Sequence, residues 1–80
     1  MIKIIANTES NSILSSWIET NKINVPIELV ENLSGSIELQ NVPCVIELDS
    51  ANTVIKTFAD SLQAILNLTE SQMQEIRSKS

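Results

Sequence analysis

The one thiol in the chain, Cys44, follows Pro43 and opens the apolar run Cys44-Val45-Ile46-Glu47-Leu48. A thiol does chemistry as the thiolate, and a thiolate needs a cation or a helix N-terminus beside it. No basic residue adjoins Cys44 in sequence. Free cysteines are among the most buried residue types, so the expectation is a small buried hydrophobe. The alternative is a monothiol redox or attachment site facing a groove. Other chemistry is harder to build. The chain has no histidine, so a hydrolytic serine lacks its base, and no Ser-x-x-Lys occurs. Zinc prefers cysteine and histidine. The carboxylate pairs Glu28/Glu31 and Glu47/Asp49 have no calcium-selecting spacing. Gly35, the only glycine, cannot by itself build a phosphate loop. No metal and no cofactor are expected, and an enzyme is the less favoured class.

Charge narrows the partners. Ten acids face five bases, for a net charge of −5. That argues against nucleic acid, whose binding rests on neutralising phosphates, and against an anionic membrane surface. The acids form no run, so a solvated surface is the plain reading. No apolar stretch approaches the roughly 20 residues of a membrane span. The start of the chain is too soon interrupted by Asn7, Thr8 and Glu9 to read as a signal peptide, and two Asn-x-Ser/Thr matches are then chance. One cysteine allows no internal disulfide, which fits a reducing interior or a particle assembled there. The expected location is the cytoplasm, or a virion for a phage-encoded chain.

The elements that must position these residues follow from hydrophobic pattern. Eighty residues make one domain, with a thin core for its size. Residues 2–6 read as a buried strand. Residues 7–12 form a polar loop rich in capping types, feeding a helix whose apolar face is Ile13, Leu14, Trp17 and Ile18. The core is the favoured place for Trp17. That helix ends near Asn21 or Lys22. Residues 25–30 form a second strand with Pro26 near its start. Residues 31–41 are a turn around Gly35, with a short strand at 36–40 as an option. Residues 44–48 are a strand, 49–52 a turn, and 53–58 its antiparallel partner. Asp60 with Gln63, then Thr69 with Gln72, read as capping boxes of two helices. The first carries Leu62, Ala64, Ile65 and Leu66, the second Met73 and Ile76. These apolar residues together exceed what one small sheet covers, which leaves a surplus for a partner.

The order is β-α-β, a connection, then β-β-α. It resembles the thioredoxin fold in its short glutaredoxin-like form. Three features carry the resemblance: a strand beginning at residue 2, the segment Val42-Pro43-Cys44-Val45-Ile46 matching the family's Val-Pro-x-Val-aliphatic strand, and the turn, strand and capped helix after it. The resemblance implies an α/β fold with a mixed four-stranded sheet, helices packed on it and a cis Pro43; the separately capped segment after Thr69 adds an extra C-terminal helix. It also implies a reactive cysteine at the start of the first helix. There the chain reads Asn7-Thr8-Glu9-Ser10-Asn11-Ser12, with Thr8 and Ser10 near the thiol positions. A hydroxyl cannot exchange with a disulfide. The glutaredoxin glycine pair after the fourth strand is replaced by Phe58-Ala59-Asp60, which speaks against glutathione binding.

A redox fold without its redox centre points to a non-catalytic protein-binding module, a subunit or assembly factor of a larger complex, with a bacteriophage structural component as one form. Val42, Pro43, Cys44, Thr8 and Ser10 are its expected binding residues, and its partner is a protein or a second copy. The alternative is a divergent monothiol oxidoreductase using Cys44. A small acidic-surface mimic is a third reading.

Overall fold

The computed structural model describes residues 1–33 and 41–80, and the optional strand at 36–40 lies outside the described residues. The chain forms β1 (Ile2–Ala6), α1 (Asn11–Thr20), β2 (Ile27–Leu29), a single 3-10 turn (Val30–Asn32), β3 (Cys44–Leu48), β4 (Val54–Ala59), α2 (Leu62–Leu66) and α3 (Glu70–Lys79). The result is a small α/β domain with a mixed four-stranded sheet and three α-helices. The strand order is β2-β1-β3-β4. β1 and β2 are parallel, with Ile4 beside Ile27. β3 runs antiparallel to both β1 and β4.

β1 is central because its side chains suit burial on both faces. Ile2, Ile4 and Ala6 enter the larger core cluster, while Ile5 points the other way with Cys44, Ile46 and Leu48. This is the two-residue alternation of a strand. All three helices serve the larger cluster, through Leu14 and Trp17 of α1, Ile65 of α2 and Ile76 of α3. Phe58 and Ala59 are consecutive yet both join it. The ladder between β3 and β4 is irregular between Val45 and Ile46, which re-aims the strand locally. Ile4, Leu14, Ile65 and Ile76 are fully enclosed. Truncating any one of them to alanine costs about 2–5 kcal/mol.

The ends of α1 show how local chemistry sets element bounds. Lys22 has φ 56°, a left-handed residue where glycine is favoured. Ile23 N–H donates to the Ile18 carbonyl at 2.9 Å and Lys22 N–H to Glu19 at 3.4 Å. This is the Schellman closure, and it carries Ile23 into the core. α1 has no basic residue in its own last turn. The Arg77 guanidinium of α3 donates instead to the Asn21 carbonyl, through Nε at 3.1 Å and Nη2 at 2.7 Å. A cation there complements the helix dipole.

Three sequence expectations change. The second strand is Ile27–Leu29 rather than residues 25–30; Val25 is buried ahead of it without joining the ladder. Ser61, not Asp60, caps α2, its hydroxyl accepting from Ala64 N–H at 3.1 Å. Ile13 leaves the apolar face of α1 and stands 45% exposed. The Thr69–Gln72 capping box is present.

Candidate functional site

The described chain meets at one end of the sheet in a groove of about 360 Å³, lined by Asn7, Glu9, Ser10, Ile13, Pro43 and Leu62. Its position follows from topology. β1 ends at Ala6, β3 begins at Cys44, and β4 ends at Ala59, so three loops converge there. The crevice beyond the C-terminal end of a parallel strand, where successive connections diverge, is a recurring binding position in α/β sheets. The volume lies at the lower end for ligand-sized clefts.

The α1 side of the groove is built on a reciprocal pair. Asn7 Oδ1 accepts from Ser10 N–H at 2.9 Å and from Ser10 Oγ–H at 2.6 Å. Asn7 N–H donates to Ser10 Oγ at 3.2 Å. This is the logic of a capping box one turn ahead of the regular helix. It explains why a polar stretch forms a fixed wall, with Ser10 only 4% exposed. Its hydroxyl is occupied internally and is not presented as a nucleophile. Among the described residues no buried side-chain nitrogen or oxygen lacks a hydrogen-bond partner.

Pro43 lines the groove and follows a cis Val42–Pro43 peptide bond. Leu62 and Ile13 are the apolar walls. Leu62 packs partly on the larger cluster. Glu9 stands exposed on the α1 rim. Asp60 is exposed, one residue past Ala59, which pairs with Val45.

The structure separates the residues expected to bind. Pro43 and Ser10 line the groove. Thr8 is exposed in the same loop but does not line the cleft. Val42 and Cys44 belong to the smaller cluster on the other face of the sheet. Cys44 is 2% exposed. Burial, and then the nearby Asp60 charge, push its thiol up from 9.0 to about 11. At neutral pH the thiol is therefore held protonated. Asn7, Glu9, Ile13 and Leu62 went unread as site residues. Ile13 and Leu62 carry an ordinary core signature, and only the loop geometry turns them toward the cleft.

No family model, curated protein or solved structure matches this chain. Among the described residues no group of three or more histidine, cysteine or acidic side chains could hold a metal ion. No described helix is long and apolar enough to cross a membrane.

A second concavity of about 300 Å³ lies at the opposite end of the sheet, against Met1, Lys3, Val25, Pro26, Glu28 and Lys79. Both lysines that line it are paired with acids, Lys3 with Glu28 at 2.9 Å and Lys79 with Glu47 at 2.9 Å, whereas Glu9 in the wall of the Pro43 groove has no ion pair among the described residues.

Proposed function

We propose that the chain is a non-catalytic thioredoxin-like module that binds a protein through the groove beside Pro43, as a subunit or assembly factor of a larger complex. The observation that carries the reading is the thiol's position. The groove is lined by hydroxyl, amide, carboxylate and aliphatic groups, while the single cysteine is enclosed on the other face of the sheet. The strand order, the parallel β1–β2 pair, the antiparallel β3–β4 hairpin and the proline at the entry to β3 support the thioredoxin-like part. Fold likeness says nothing about activity by itself. The binding part therefore rests on an open cleft whose aliphatic residues Ile13, Pro43 and Leu62 face a fixed polar wall.

The monothiol alternative requires Cys44 to reach a disulfide in line. An enclosed thiol held protonated near neutral pH does not meet that requirement.

Two measurements test the reading together. Wild-type protein catalyses no thiol-dependent reduction of insulin above the Cys44→Ser variant. Immobilised wild type retains a protein from cells of its own source, and Ile13→Asp, a change at a half-exposed position, releases it while circular dichroism stays native. Turnover abolished by Cys44→Ser, or retention indifferent to Ile13→Asp, overturns the proposal.

A further inference from the structure

We infer that the Pro43 groove selects an extended segment of a partner protein in which an aliphatic side chain is flanked by lysine or arginine. This rests on the reading above that the groove binds protein, and it names the chemistry of what is bound.

Four of the five bases are engaged with acids: Lys3 with Glu28, Lys56 with Glu75, Arg77 with Glu70, and Lys79 with Glu47 and Glu75. The fifth, Lys22, lies just beyond the C-terminal end of α1, at the far end of the sheet. None of the five stands in the loops that make the groove. The net charge of −5 is therefore carried by acids outside these pairs. One of those acids, Glu9, stands in the cleft wall, and a second, Asp60, lies two residues before the lining residue Leu62. Both are exposed, so both keep their charge without a cost of burial.

The cleft surface is apolar at Ile13, Pro43 and Leu62. The polar wall offers little to a ligand, because Asn7 and Ser10 satisfy one another. Recognition thus falls to an aliphatic anchor in the cleft and to cations that meet Glu9 in its wall and Asp60 near Leu62. Complementary charges around an apolar centre set partner choice and association rate more than total affinity.

The test uses the full chain labelled with nitrogen-15 and three synthetic peptides sharing a Val-Leu-Val centre, flanked at both ends by Lys-Arg, by Ser-Ser or by Glu-Glu. The Lys-Arg peptide is expected to shift the Ser10, Ile13 and Leu62 amide signals. It binds about tenfold tighter than the Ser-Ser peptide at low salt, from two exposed charge contacts. About 0.5 M salt removes most of that margin. The double variant Glu9→Gln/Asp60→Asn, at two exposed positions, brings the Lys-Arg peptide down to the Ser-Ser affinity. If all three peptides shift the groove signals with equal affinity, the charge selection is wrong and the docking groove stands. If none of them shifts those signals, the docking reading falls with it.

Discussion

The two ends of the sheet handle charge in opposite ways. At the Met1 end the chain closes upon itself. The terminal amine donates to the Leu48 carbonyl at 2.9 Å, Leu48 N–H returns to the Met1 carbonyl at 2.8 Å, Arg77 holds Asn21, and Lys79 reaches Glu47. At the Pro43 end the hydrogen bonds are local, Asn7 with Ser10 and Ser61 with Ala64. The acids Glu9 and Asp60 face solvent there. The Met1 end joins distant segments of the chain, and the Pro43 end is held by bonds within single loops. Exposed ion pairs contribute little individually; what distinguishes the Met1 end is the number of bonds joining distant segments.

The comparison breaks if the Pro43 end proves as dependent on internal pairing as the other. The largest effect is expected at Cys44, behind the groove. The native thiol keeps its proton to about pH 11 against 9.0 when free. Between those values the native state binds more protons than the unfolded chain, so stability falls as pH rises. A shift of this size corresponds to about 2 kcal/mol, lost over that window. Lysines titrate there too, so the quantity to follow is the urea stability of wild type minus that of Cys44→Ala. That difference shrinks from pH 8 to pH 11. A constant difference would place the thiol in contact with water.

A smaller loss follows Arg77→Met, which keeps most of the apolar stem and deletes two bonds to the Asn21 carbonyl together with the exposed Glu70 ion pair, the latter contributing little. About 1.5 kcal/mol is expected from a hydrogen bond to a charged group, read as a lower urea midpoint with an unchanged slope. Asn7→Ala comes last, at about 1 kcal/mol for a lost cap. Its second readout is greater hydrogen exchange at Ser10 and Asn11 alone. If Asn7→Ala cost more than Arg77→Met, the ranking of the two ends would be reversed.

Much of the fold was legible in the sequence. β1 and β3 are apolar runs bounded by polar residues, and each occupies the range its pattern indicates. β2 is shorter than its pattern because hydrophobicity reports burial and not pairing; Val25 is buried without a strand neighbour. Asp60 and Ser61 are both good capping types, and only the extended backbone of Ser61 decides between them. The Arg77–Asn21 contact spans 56 residues and ends on a backbone carbonyl, so no side-chain pattern announces it.

The site was legible in part. Pro43 and Ser10 came from the resemblance, and both line the groove. Cys44 and Val42 adjoin Pro43 in sequence yet pack in the smaller cluster; they flank a proline in the bend that precedes β3, where no strand alternation announces which way each side chain turns. Ile13 read as core since it continues an apolar stripe. Its place near the start of α1 puts it beyond the sheet's cover, 45% exposed.

The Arg77 contact also bears on how the molecule comes into being during synthesis. β1 and α1 emerge early, and β2 can pair with β1 from nearby sequence. Yet β1 has its second neighbour only when β3 has been made, and α1 receives its counter-charge only from residue 77. An arrested nascent chain that stops within β4 therefore holds a sheet with neither α2 nor α3 on its face. α1 covers part of its apolar side through Leu14 and Trp17, while Ile65 of α2 and Ile76 of α3, buried in the same cluster, are still missing, so the packing is completed only once α3 has been made.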